Sequence, residues 1–314
     1  MARISVGGSA TAGLSLIVRE PMTIVIWGLA LLVLALVPAM GMMAAMGPEL
    51  LRMIQTIQAS KGGGPDSVAM QQMMRLQSGM MLFNLGSWIW GTLVKAVICA
   101  AVFRAILEPK ASGLAHLRLG AQELWLALLF LVESVLAYIV AIITTMMVVL
   151  PAVIVGVAGG HGGQGAASGV LTAVGLGFVA AAVLIWIALR LSMAAPMTFA
   201  DRQFRLFESW SLTRGSAARL LGVGVLTVVI VLVLELVICG LVLCALFAAG
   251  GPPAWIHDGK AVEAFIAQPP AELFRRVWPW LAAGGAVWTL IASGLFTIFC
   301  APWAAAYRDL TRPA

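Results

Sequence analysis

Three ionisable residues, Lys95, Glu133 and Glu235, occur inside long apolar stretches of the chain. A charge at the centre of a bilayer costs about 2.5–3.5 kcal/mol on insertion scales, so such groups are expected to face a protein interior or a water-filled path. A lysine with two carboxylates in that setting suits a proton, ion or lipid-headgroup route between helices. It equally suits an internal ion pair that fixes helix register, the surplus glutamate being protonated and hydrogen-bonded. On either reading Lys95 pairs with Glu133, Glu235 or both. Asn84, Thr144 and Thr145 can add hydrogen bonds. The helix rise puts the three charges roughly 14–21 Å from the inner ends of their segments, which makes them a candidate midplane polar cluster.

A second group is basic and aromatic. Arg202, Arg205, Arg214 and Arg219 share one connector with Phe204, Phe207 and Trp210. That is the composition of an interfacial helix meeting anionic lipid, and also of a plain orienting loop. Catalytic constellations are missing. The histidines His116, His161 and His257 fall in separate loops, and HExxH, GxSxG and paired aspartates do not occur. Cys99, Cys239, Cys244 and Cys300 lie in apolar segments without a CxxC pair, so they read as small buried hydrophobes. The glycine-rich run at His161–Gly165 lacks the lysine and serine of a phosphate-binding loop. No catalytic residue, metal or cofactor is therefore expected.

The elements that must hold these residues follow from composition. The chain is 62% hydrophobic and 10% charged, with a mean hydropathy of +1.03. A soluble domain is nearer half apolar and about one quarter charged, so the expected solvent is lipid. The net charge of +6 comes from basic residues at segment ends, and no groove-binding helix or aromatic–basic platform points to nucleic acid. A span needs about twenty apolar residues. Six stretches qualify: Met22–Met43, Met81–Leu107, Leu124–Val149, Val170–Leu191, Leu221–Phe247 and Val277–Ala301. The third continues in apolar character past Pro151 to about Val157. The first exceeds the h-region of a signal peptide, about 7–15 residues, and reads as a retained span. The expected fold is an all-α polytopic membrane bundle forming a single integral domain over residues 1–314.

Placing the N-terminus inside puts Arg3, Arg19, Arg104, Lys110, Arg118 and the cluster from Arg190 to Arg219 on the inner side, with Arg308 and Arg312. Arg52, Lys61, Arg75, Lys260, Arg275 and Arg276 fall outside. This bias predicts both termini in the cytoplasm. Trp88, Trp90, Trp278 and Trp280 fit an outer aromatic belt and Trp125 and Trp303 an inner one, whereas Trp27, Trp186 and Trp288 read as packing residues. Between the first two spans, Pro48 and the spacing of Leu50, Leu51, Ile54 and Ile57 predict helix, interrupted at Gly62–Pro65. This segment is either a surface hairpin or an extension of the two spans. Trp255, Ile256, Phe265 and Phe274 suggest an interfacial last loop. Gly285, Thr289 and Ser293 line one face of the sixth span and predict close helix approach there.

An arginine precedes each odd-numbered span (Arg19, Arg118, Arg214) and closes each even-numbered one (Arg104, Arg202, Arg308) at intervals of about one hundred residues. Three pseudo-repeated hairpins, about 1–110, 111–207 and 208–314, are the repeat this spacing suggests. The stretch LRLSMAAPMTFADRQFRLFESWSLTRGSAARLLGVGVL, Leu189–Leu226, has a helix end with Ala-Pro, a connector, a Ser-Trp pair and a Thr-Arg-Gly turn before the next span. In this it resembles a bacterial inner-membrane superfamily of YciC-like proteins and of membrane domains beside some glycerophosphodiester phosphodiesterases. The resemblance implies the multi-pass architecture. It does not bring phosphodiesterase activity, which belongs to a soluble barrel with carboxylates and histidines that has no counterpart here.

The expected protein is thus a non-enzymatic accessory or scaffold of the bacterial cytoplasmic (inner) membrane, acting in envelope or lipid homeostasis. Its expected partners are membrane lipids and another membrane protein or a second copy, not nucleic acid. A small-solute or lipid transporter using the three charges is the alternative, and an intramembrane enzyme ranks third.

Overall fold

The computed structural model describes residues 4–59, 67–109, 114–159, 163–248 and 270–311, and all regular structure among them is helical. The long helices are α3 (Pro21–Ala59), α4 (Ser67–Leu107), α5 (Ala121–Ala158), α6 (Gly163–Leu191), α9 (Ala217–Ala248) and α10 (Pro270–Thr311). Each is long and apolar enough to cross a membrane, as a multi-pass membrane protein requires. In lipid a helix satisfies its own backbone polar groups, which is why apolar runs of this length take that form. The short helices are α1 (Val6–Ala10) and α2 (Ala12–Arg19), which precede α3, and α7 (Ala194–Asp201) and α8 (Glu208–Leu212), which lie between α6 and α9.

Local chemistry sets several ends. Pro21 opens α3, where its missing N–H would have had no partner, and Thr23 donates to the Glu20 carboxylate at 3.1 Å. Gly120, in extended conformation, precedes α5, whose first turn carries Glu123 at the positive end of the helix dipole. α5 runs through Pro151 to Ala158, two turns beyond the shorter boundary that the sequence allows. α3 and α4 have 39 and 41 residues, so each is roughly 60 Å long against a hydrocarbon core of about 30 Å. The segment between the first two spans is therefore their helical extension and not a separate surface hairpin. The Gly62–Pro65 break lies outside the described residues, as do His161, His257, Lys110, Trp255, Ile256 and Phe265. The two Ala-Pro exits are helical. A turn at Ser192–Met193 starts α7 with Pro196 near its beginning, while α10 continues past Pro302 to Thr311.

The chain divides into two compact units. The first comprises Met1–Ala10, Lys95–Gly224 and Ala301–Ala314. Its interior is built where the arginine-bearing helix ends meet. Met193, Leu220, Val223 and Ala306 pack with Ile4, flanked by Trp303 and Tyr307. Alongside lie the buried Ala96, Ile98, Ala100, Phe103, Leu126, Leu129 and Phe199. Alanines on α4 and α10 keep the side chains short, which allows close packing of backbones. α5 runs beside α6 and its early turns meet α7. At the far tip of the α5–α6 hairpin the backbones touch: a Cβ on Gly169 would lie 2.8 Å from the Ala152 carbonyl.

The second unit comprises Thr11–Val94 and Val225–Cys300. Here α2 and α3 pack against α10. A Cβ on Gly13 would meet the Ile298 Cα at 2.5 Å, and one on Gly28 the Leu290 side chain at 2.6 Å. Ser293 Oγ donates to the Ile24 carbonyl at 3.1 Å, and Trp90 Nε1 to that of Leu34 at 2.8 Å. Close approach occurs at Ser293 as its spacing predicts, but the glycines responsible are Gly13 and Gly28. A Cβ on Gly285 would touch nothing within 4 Å. Trp27 is fully buried as a packing residue, whereas Trp288 is exposed.

Candidate functional site

α4 and α5 run antiparallel in the first unit, and their register brings charges together at two levels. At the level near the end of α4 the Arg104 guanidinium forms an ion pair with Glu123, both side chains being almost wholly buried. Arg104 also donates to the His116 carbonyl at 2.5 Å and to Gln122 Oε1 at 3.2 Å, and it lies over the Phe199 ring at 5.5 Å. Gln122 in turn donates to the Phe199 carbonyl at 3.2 Å, tying α5 to α7. Ala115 and His116 take left-handed backbone conformations, with φ of 50° and 58°. Non-glycine residues hold such conformations at a cost of order 1–3 kcal/mol when surrounding contacts impose them. The Arg104 bond to His116 is one of those contacts.

Nine residues earlier on α4 and ten later on α5, the second level holds Lys95 and Glu133. The Lys95 ammonium sits over the Phe130 ring, 4.6 Å from its centroid, within electrostatic reach of Glu133. The two do not close a direct ion pair, contrary to the pairing expected from sequence. The aromatic face takes part of the cation's interaction instead. Glu133 is half-buried and makes no hydrogen bond or direct ion pair among the described residues. Glu235 lies on α9 in the second unit and is exposed. Only Lys95 and Glu133 of the expected cluster therefore share a unit.

Glu133 opens into a groove between α5 and α6. A cavity of about 460 Å³ is lined by Glu133, Ala137 and Val140 on α5, by Leu184 and Ala188 on α6, and by Ser192 and Ala195 at the turn into α7. A narrower pocket of about 210 Å³ continues it past Thr144 and Met147 to Leu176, sharing Val140, Leu184 and Ile187 with the first. The contact of Gly156 and Gly169 closes the hairpin beyond it. From Glu133 to Val148 the groove follows α5 for roughly 22 Å. Glu133 is the charged residue among its lining, and the rest is almost entirely aliphatic.

The basic connector is two short helices joined by a turn. Arg202 ends α7 in a left-handed conformation (φ 55°) and is exposed, as are Arg214, Arg219 and Phe207. Arg205 is drawn back: it pairs with Asp201 at 3.0 Å and Glu208 at 3.7 Å, so little net charge is left for lipid. Trp210 packs edge-on against Trp186, the ring centroids 5.0 Å apart. Arg190 lies over both rings, at 5.6 and 5.8 Å, and donates to Thr213 Oγ1 at 3.4 Å. Ser209 Oγ donates to the Arg190 carbonyl at 2.6 Å.

Sequence reasoning missed Glu123 and gave Arg104 and Arg190 only an orienting role. A glutamate in the first turn after Gly120 was the available signal for Glu123, since that position faces the helix dipole. Its arginine partner required the α4–α5 register. Cys99 and Cys300 are buried as expected, but Cys239 and Cys244 are exposed on α9. Among the described residues no three His, Cys, Asp or Glu side chains group as a metal site. The chain matches no family model, no curated protein and no solved structure.

Proposed function

We propose that this chain is a multi-pass protein of a bacterial cytoplasmic membrane, with both termini inside, that serves without catalysis as a lipid-handling accessory in envelope homeostasis. The α5–α6 groove carries this reading. It is aliphatic, long and narrow, of a volume ordinary for ligand sites, and has one carboxylate at one end. Such a lining suits an acyl chain and lacks the several convergent polar groups that a small polar solute needs. The exposed Arg202, Arg214, Arg219 and Phe207 suit contact with anionic lipid at the inner surface. The likeness of Leu189–Leu226 to the YciC-like superfamily agrees with the architecture and the membrane.

Protein purified in mild detergent is expected to retain phospholipid. Ala188→Trp, which fills the groove from an exposed position, should lose most of it while unfolding at the wild-type temperature. A wild-type preparation free of lipid, by extraction and mass spectrometry, would refute the reading. For orientation, a fluorescent protein fused to the C-terminus should fluoresce and alkaline phosphatase fused there should be inactive. The reverse pattern would place the termini outside. A lipid transporter is the second reading, favoured by the cavity reaching Glu133. It requires that reconstituted protein move lipid between leaflets and that Ala188→Trp stop the movement.

A further inference from the structure

The level of Glu133 identifies which part of a lipid it meets. Measured from the start of α5 it lies about 18 Å along the helix, which would be deep in a bilayer if α5 entered lipid at its first residue. One face of that stretch, with Glu123, Leu126, Leu129 and Phe130, is buried in the first unit, while Leu124, Trp125 and Leu128 are exposed on the other. On the opposite wall of the groove, Glu133 faces Ser192 and Ala195, which follow Arg190 in sequence. Arg190 over the packed rings of Trp186 and Trp210 is an arrangement suited to the membrane–water interface. On the α6 side the floor of the groove is thus level with an arginine of interfacial type, and its aliphatic length of roughly 22 Å exceeds the roughly 15 Å of a single leaflet.

An acidic and a basic side chain lie at or near that floor without an ion pair between them. Among the described residues the Glu133 carboxylate has no hydrogen-bond donor, and the exposed Lys95 ammonium rests on Phe130 within electrostatic reach of it. A zwitterionic headgroup complements such a pair. A primary ammonium donates hydrogen bonds to the carboxylate, and the adjoining phosphate is attracted to the lysine. A quaternary ammonium has no N–H to donate, and a glycerol headgroup has no cation. We propose that the α5–α6 groove binds a phospholipid with a primary-amine headgroup, of the phosphatidylethanolamine class. Its ammonium lies on Glu133, its phosphate toward Lys95, and one acyl chain extends past Val140 and Thr144 toward Met147. This assignment rests on the lipid-handling reading above and adds the class of lipid.

The test is retention of lipid by the full chain. The protein is equilibrated in nanodiscs holding equal parts of phosphatidylethanolamine, phosphatidylcholine and phosphatidylglycerol, then transferred to detergent, and the lipid remaining is quantified by mass spectrometry. Phosphatidylethanolamine should be enriched about tenfold over each of the others, the scale expected of one charge-assisted hydrogen bond. Glu133→Gln should bring the three near equality, and Ala188→Trp should remove all of them. The wild-type ratio needs no variant, so a Glu133→Gln protein that failed to fold would leave the test decisive. Equal retention of the three lipids, or a preference for phosphatidylglycerol, overturns the headgroup assignment and leaves the lipid reading in place. Absence of all three from wild-type protein overturns both.

Discussion

Arg104→Met is expected to lower the stability of the folded chain by about 3–5 kcal/mol, because it leaves Glu123 buried without its cation. Arg104 and Glu123 are almost inaccessible, and the same guanidinium also holds the His116 carbonyl and Gln122. Removing it strands three acceptors at once and frees a loop that holds Ala115 and His116 in left-handed conformations. The double variant Arg104→Met/Glu123→Met should recover most of the loss, since an apolar pair of similar volume replaces a buried ion pair at little net cost. Arg202→Met should change stability by less than about 0.5 kcal/mol, its side chain being exposed. Thermal unfolding in detergent and titration with a denaturing detergent both read these differences. An Arg104→Met protein as stable as wild type would show that the pair does not hold this end together.

Gly13→Ala should also destabilise, although alanine is the better helix former by about 1 kcal/mol. The new Cβ would lie 2.5 Å from the Ile298 Cα and 3.0 Å from the Thr297 carbonyl oxygen. Both obstacles are backbone atoms of α10 and cannot rotate aside. Helix α2 must then move away, and overpacking of this kind costs typically 1–3 kcal/mol. Gly86→Ala on α4 is the control, because nothing lies within 4 Å of the added carbon. That substitution should leave stability equal or higher. If Gly13→Ala matched it, the contact between α2 and α10 would be looser than the structure shows.

The helices themselves were legible in the sequence because lipid imposes a simple rule: backbone groups must bond within the segment, so an apolar run of sufficient length becomes a helix. All six stretches lie within or coincide with observed helices, and Leu107 and Leu191 end α4 and α6 where the change in composition puts them. Lengths were less legible. Hydropathy reports where lipid is tolerated, not where a helix stops, so the extensions of α3, α4 and α10 beyond the apolar windows were undetermined or missed.

The candidate site divides in the same way. Sequence singled out Lys95 and Glu133 because charges in apolar runs are costly, and it picked the exposed Arg202, Arg214 and Arg219 from their clustering. It could not show that Glu235 belongs to the other unit, that Arg205 is neutralised by Asp201 and Glu208, or that Phe130 takes the ammonium that Glu133 was expected to hold. Such partnerships depend on which helix faces are brought together, and one-dimensional periodicity does not encode that choice.

By itself, then, the sequence determined the solvent, the helical class and the residues too costly to leave unexplained, since each follows from transfer free energies of single side chains. The tertiary structure alone decided register and spacing. It paired Arg104 with Glu123 and left Lys95 and Glu133 open. It joined α5 and α6 at Gly156 and Gly169 and held them apart below. That separation makes the groove, and which glycines meet a neighbouring backbone depends on the register of the two helices, which a glycine in the sequence does not reveal.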